Sequence, residues 1–182
     1  DYQKVASILR DCQGIGNTDI GLGNEKALNQ LQGHHSVIFM PEKRLMWVST
    51  SPYQLGAYVA YDLNTVFNTP KPKNKSIGTD ILLIVADTFA KSQEFKNYIK
   101  FRKLKKEITK ITQNGIDYDK EEEEKAERIT ELNPNYYQAH ELAGNYYKAK
   151  QLYAKAIVAY KTALEKEIAT KAEQGLIQNN LK

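Results

Sequence analysis

The stretch Gly33-His34-His35-Ser36-Val37-Ile38-Phe39-Met40-Pro41-Glu42-Lys43-Arg44-Leu45-Met46-Trp47-Val48-Ser49 reads as two strands joined by a tight turn. Successive side chains alternate across a strand, so Val37 and Phe39 fall on one face and Ile38 and Met40 on the other. Leu45 to Val48 repeats the mixture, which makes both faces apolar. A strand apolar on both faces belongs in a layered fold, with material packed above and below it. Pro41-Glu42-Lys43-Arg44 is the polar turn, its proline presetting one backbone angle. The segments from Tyr2 to about Leu63 are read as serving this sheet, and the chain past about Gly78 as a separate helical region.

Working outward, Val5, Ile8, Leu9 and Cys12 recur at helical spacing and predict an amphipathic helix over Tyr2 to Cys12. Gln13 to Gly23 is glycine-rich and predicts a loop. Asn24 is placed to cap a short helix with Ala27, Leu28 and Leu31 on one face and Gly33 as its stop. After the turn residues Ser51-Pro52, Gly56 to Leu63 reads as a third strand. Two prolines, charges and small polar residues mark 69–78 as a linker or exposed loop. Beyond it, Asp80 to Phe89 reads as a buried helix. Phe95, Tyr98, Ile99, Leu104, Ile108 and Ile111 mark a long helix ended by Asn114-Gly115. Asp119 to Leu132 predicts another, with Ala126, Ile129 and Leu132 inward and Asn133-Pro134 as its stop. The domain reading is therefore a sheet-bearing part at 1–68, a linker at 69–78 and a helical part at 79–182.

In the last part Ala143, Gly144, Tyr147, Tyr153, Ala156, Tyr160 and Ala163 alternate small and aromatic residues at fixed offsets. Small residues let two antiparallel helices approach, and the aromatics fill the space between them. The pattern is similar to one tetratricopeptide repeat over about 136–170, with His140 where tryptophan is common and Ile168 near the usual terminal proline. An ordinary helical hairpin is the alternative. One repeat is too little for a free solenoid, so it is expected to pack on its neighbours.

The totals exclude several classes. A formal net charge of +4 over 182 residues does not by itself call for a nucleic-acid partner. Lys91 to Lys110 holds eight basic and two acidic residues, but Asp117 to Glu131 holds eight acidic and three basic, and the neighbouring blocks offset each other. The single Cys12 permits no internal disulfide and no cysteine metal cluster. No apolar run is long enough to span a membrane. The chain begins at Asp1, and further sequence upstream is expected; an extracytoplasmic bacterial location is the reading if that sequence carries a signal.

Few residues offer chemistry. As a nucleophile Cys12 needs a nearby base and an electropositive setting, whereas on the inner face of a helix it is a structural thiol. His34 and His35 point to opposite faces of an extended segment and so cannot share one metal; one can reach a pocket or bond at the sheet edge. Ser36 lacks the glycine-flanked elbow of serine hydrolases. Gly14-Ile15-Gly16 and Gly21-Leu22-Gly23 lack the strand, helix and lysine of a phosphate loop. Lys100 to Lys106 interleaves basic residues with an apolar stripe, the pattern of a solvated helix face rather than a nucleic-acid patch. The residues alone present no complete active site, no cofactor site and no metal site.

Four blocks in order, Ile8-Leu9-Arg10-Asp11, His35 to Pro41, Leu45 to Ser49 and Pro52-Tyr53-Gln54-Leu55-Gly56, resemble the carboxy-terminal part of the acyl-CoA:6-aminopenicillanic acid acyltransferase-like family. These are autoproteolytic N-terminal-nucleophile hydrolases related to choloylglycine hydrolases. The resemblance covers Tyr2 to Leu63. It implies an α+β chain forming part of an αββα sheet layer, followed by the all-α repeat-like region. It also implies acyl hydrolysis or transfer at an amide or thioester. The family's nucleophile is a cysteine freed by self-cleavage, its own α-amino group acting as base. Neither Asp1 nor Cys12 fits that position, so the resemblance puts the nucleophile upstream and no catalytic residue in this chain. It leaves His35 and Ser36 as candidates for lining the acyl pocket. The implied partners are the upstream portion of the same protein and a small acyl amide or thioester. The competing class is a noncatalytic module that binds a protein at the helical repeat. Exposed Ile38 or Trp47 is expected if the chain is a half-built layered core with its apolar faces uncovered, and a self-contained, fully buried sheet if it is an independent module.

Overall fold

The structure, a computed structural model, describes residues 1–68, 77–113 and 119–181. It is α+β, with one four-stranded antiparallel sheet and, among the described residues, seven α-helices. Two compact units form, and neither is continuous in sequence. The first comprises Asp1–Cys12 and Leu28–Ser92, the second Gln13–Ala27 and Gln93–Lys182. The expected linker at 69–78 and the helix stop at Asn114-Gly115 lie, apart from 77–78, outside the described residues.

In the first unit, α1 (Tyr2–Leu9) precedes strands β1 (Val37–Met40), β2 (Leu45–Ser49), β3 (Tyr58–Asp62) and β4 (Thr79–Ile84), which lie side by side in chain order; α2 (Leu63–Asn68) separates β3 from β4. The predicted hairpin is present, pairing Met40 with Leu45 and Val37 with Val48. Its turn is a 3-10 turn at Pro41–Lys43 followed by Arg44 in the left-handed region, φ 54°. Register puts Ile38, Trp47 and Ala60 on one face with Tyr58 and Ile84. That face is the core, and α1 lies on it. The Tyr2 ring stacks on Trp47 at 4.5 Å between centroids, Ala6 is buried against the same cluster and Leu9 packs at its edge. Trp47 Nε1 donates to Leu82 O at 2.9 Å, so the buried indole keeps its hydrogen bond.

Three expectations are corrected here. The helix read over Asp80 to Phe89 is the strand β4 and a 3-10 turn at Thr88–Lys91. The run is too short for periodicity to separate strand from helix, and the open edge of β3 decides for the strand. The inner face of α1 is Tyr2, Ala6 and Leu9, while Val5 and Ile8 are exposed. The helix ends at Leu9, so Cys12 lies beyond it. No helix forms over Asn24 to Leu31. Those residues make turns, because the buried Asn24 side chain bonds Ile20 O and Glu167 O and Leu31 adopts φ 52°.

The opposite face of the sheet differs from what two apolar faces led one to expect. Ile38 and Trp47, whose exposure the half-built reading called for, are buried beneath α1, which corrects that expectation; on the other face Phe39 is 65% exposed and Ile81 92%, with Val37, Leu83 and, just past β4, Val85 also exposed. Apolar on both sides, the sheet is covered on one.

The second unit holds α3 (Gln93–Thr112), α4 (Lys120–Leu132), α5 (Tyr137–Ala149), α6 (Tyr153–Leu164) and α7 (Lys171–Asn179). Asp119 caps α4 by accepting from Glu121 N, and Ala126, Ile129 and Leu132 face inward as predicted. On α3 the buried residues are Phe95, Tyr98, Phe101 and Ile108. Phe101 sits within the basic run, whose cations flank it on the helix surface. Helices α5 and α6 form an antiparallel hairpin in which Ala143, Gly144, Tyr147, Ala156, Tyr160 and Ala163 are buried. A Cβ on Gly144 would stand 2.7 Å from the Tyr160 ring, so the close approach needs glycine. Tyr153 departs from the pattern and is exposed.

Candidate functional site

Polar chemistry is concentrated in each unit. In the first it lies at the end of the sheet where β1 begins. Ser49 follows Trp47 by two residues and so points to the same covered face. Its hydroxyl accepts from Ser36 N at 2.7 Å. The Ser36 hydroxyl in turn bonds the hydroxyl of the buried Tyr58. His35 Nδ1 donates to Ser49 O at 3.1 Å. The Arg10 guanidinium lies over the Tyr58 ring, 5.1 Å from its centroid, and donates to Gly56 O at 2.6 Å, Val85 O at 2.9 Å and Gln54 O at 3.4 Å. Arg10 thus gathers three carbonyls around the Thr50–Gly56 corner, where Tyr53 and Gln54 both have positive φ.

The two candidates His35 and Ser36 therefore belong to one seam, together with Arg10, Ser49 and Tyr58, which sequence reasoning did not single out. The signal for Ser49 was its alternation with Trp47; Arg10 gave none beyond its place at the end of a helix. The seam holds hydroxyls and an arginine but no thiol. Cys12 is half-buried with its Sγ 3.5 Å from Arg10 O. His34 is exposed. Among the described residues no group of three or more His, Cys, Asp or Glu is arranged to hold a metal, and no helix is long and apolar enough to cross a membrane.

In the second unit a groove of about 640 Å³ runs between α4 and α6 over the floor of α5. Ala143, Tyr147, Val158 and Ala159 make it apolar; Glu127, Glu131 and Lys155 stand at its rim. Lys155 bonds Glu123 at 2.5 Å and Glu127 at 3.3 Å, and these hydrogen bonds hold its ammonium above the usual lysine range. His140 borders the groove and donates from Nε2 to Pro134 O at 2.8 Å; burial pushes its pKa down.

A second polar network joins α3, α5 and α7. Lys105 Nζ donates to Gln138 Oε1 at 2.6 Å, and Tyr137 OH to Glu173 Oε1 at 2.8 Å. Burial holds Lys105 below the usual lysine range and raises Tyr137. Glu141 is raised by burial first and then by the Glu173 carboxylate, against the pull of Lys105. A carboxyl raised by folding holds its proton more tightly in the folded chain. Its contribution to stability is then greatest below the ordinary glutamate value of about 4.3 and declines as pH rises through the raised value. Glu141→Gln is therefore expected to stabilise the chain at neutral pH and to lose that advantage in acid. Denaturant midpoints of both proteins at the two pH values check this, and a variant less stable than the parent at neutral pH contradicts it.

This chain matches no family model, no curated protein and no solved structure.

Proposed function

We propose that this chain is a late portion of an autoprocessed N-terminal-nucleophile acyltransferase or amide hydrolase, and that its sheet is one layer of an αββα core. The observation that carries the reading is the uncovered sheet face. Phe39, Ile81 and Val85 stand exposed on a sheet whose other face is packed by α1. Exposed apolar side chains at both edges of one sheet face are the place for a second layer. The four sequence blocks that resemble the family point to the same arrangement. In this reading a cysteine thiol on the upstream portion gives its proton to its own α-amino group and attacks the acyl carbon of an amide or thioester; the C–N or C–S bond breaks and the leaving amine or thiol takes that proton. Water or an acceptor amine then attacks the acyl thioester, takes the acyl group and releases the cysteine thiol. His35 and Ser36, held by Ser49 and Tyr58, form part of the acyl-pocket wall and transfer no proton. The helical unit is a tetratricopeptide-like extension, in which Gly144 against Tyr160 supplies the close helix packing that such a repeat requires.

The test is the intact mass and N-terminal sequence of the protein made from its full natural gene. A break that exposes a new N-terminal cysteine upstream of Asp1, with turnover of amide or thioester substrates, is the expected result. A natural product that starts near Asp1 overturns the reading. The groove between α4 and α6 then favours the second one, a noncatalytic module that binds a protein through its helices.

A further inference from the structure

The chain leaves the sheet unit at Gln13, joins the helical unit, and returns at Leu28. Over Asp19 to Lys26 it has no helix or strand of its own. It is folded into turns by its own bonds, Asn24 N donating to Gly21 O at 3.3 Å and Lys26 N to Asn24 Oδ1 at 3.0 Å, and it is tied further to side chains and loops of the helical unit. The buried Asn133 amide, between α4 and α5, reads both backbone groups of Leu22. Its Oδ1 accepts from Leu22 N at 3.2 Å and its Nδ2 donates to Leu22 O at 2.8 Å. Asn24 donates to Glu167 O at 2.8 Å, beyond the end of α6. Asn135 Nδ2 donates to Asp19 Oδ2 at 2.7 Å, and Tyr136 OH donates to Glu25 Oε1 at 3.0 Å.

The packing is selective for backbone. A Cβ on Gly21 would stand 2.3 Å from Tyr136 N, and one on Gly23 would stand 2.9 Å from the Tyr98 ring. Both glycines have positive φ, so they are needed for conformation as well as space. Ile20 and Leu22 are buried between these polar anchors. Side-chain bonds to the Leu22 backbone, the apolar anchors Ile20 and Leu22 and glycines at the close approaches are the features of a turn-shaped peptide seated in a matching surface.

We propose that the helical unit is a peptide clamp and that Asp19–Lys26 is its ligand, a strap that can leave the surface with the helices intact. The surface under the strap then accepts a turn-forming, glycine-interrupted peptide of the same pattern in trans. This inference stands apart from the acyl-transfer reading, because it concerns only the helical unit.

The test uses the full chain carrying Gly21→Val, which drives a side chain into the Tyr136 backbone. Hydrogen exchange is followed over the strap and over α3 to α7, and a fluorescent peptide of residues 17–28 is titrated in. Exchange at 20–24 is expected to rise by roughly tenfold or more while the helices keep their protection. The variant should bind the peptide saturably and the parent chain should not, its clamp being filled. Helices that lose protection together with the strap make the segment part of the core and overturn the proposal. A released variant that does not bind the peptide overturns it equally. If Gly21→Val does not fold, Asn24→Ala replaces it, since it loosens the strap and leaves the clamp unaltered, and the same two readings decide.

Discussion

Trp47→Ala is expected to destabilise the sheet unit by about 3–5 kcal/mol, enough to leave a domain of ordinary stability substantially unfolded. The indole is fully buried at the centre of the covered face. Its removal deletes the stack with Tyr2, which anchors α1 on the sheet, and leaves the carbonyl of Leu82 without its indole donor. That bond is the side-chain link between β2 and β4, so the loss extends across the sheet. Denaturant unfolding followed by far-ultraviolet circular dichroism measures the change. A midpoint shift equivalent to less than about 1 kcal/mol is what a surface tryptophan gives, and it would remove Trp47 from the core. In the parent chain the sole tryptophan reports on this unit alone, and its emission is expected to shift to the red when the sheet opens.

The second large effect lies in the helical unit. Lys150, at the end of α5, is 2% exposed at its side chain and pairs with Glu122 in the first turn of α4 at 3.0 Å. Its ammonium also lies 5.9 Å from the centre of the Tyr146 ring. Taking a lysine out of water costs several kcal/mol unless a partner offsets it. Glu122→Ala removes this carboxylate from beside a buried ammonium and is expected to cost about 3 kcal/mol. The double replacement Glu122→Leu with Lys150→Met removes both charges and should recover most of the loss, because an apolar pair needs no compensation. Glu121→Ala, which breaks an exposed pair with Lys125 one position away, should cost about 1 kcal/mol or less. Equal effects from Glu121→Ala and Glu122→Ala would show that the Lys150 pair is solvated and contributes like any surface pair.

Much of the architecture was legible before any coordinates. The β1–β2 hairpin announced itself by alternation around a proline turn, and α4 by Asp119, Ala126, Ile129, Leu132 and the terminal Asn133-Pro134. The α5–α6 hairpin followed from small residues set against aromatics, of which Gly144 on Tyr160 is the tightest instance. Each of these is a local signal, readable from neighbours within one or two turns or one strand pair. The misreadings were of another kind. Ile81 to Ile84 became a strand because β3 had an edge to offer, and Asn24 caps a turn rather than a helix, its Oδ1 accepting from Lys26 N while its amide donates to Glu167 O far along the chain. The polar seam was only half visible. His35 and Ser36 stood out by their type and their place before β1, whereas Ser49, Tyr58 and Arg10 join them only through strand register and the chain's return at Gly56 and Val85.

The elements and their apolar faces are set locally, because helix and strand periods, turns and caps depend on interactions between near neighbours. The tertiary structure alone decided which of two apolar sheet faces is covered, and that Gln13–Ala27 belongs with the helices. Burial and long-range hydrogen bonding are properties of surfaces brought together from distant parts of a chain. Periodicity shows that Phe39 and Trp47 are both apolar; only packing puts Trp47 under Tyr2 and leaves Phe39 in water.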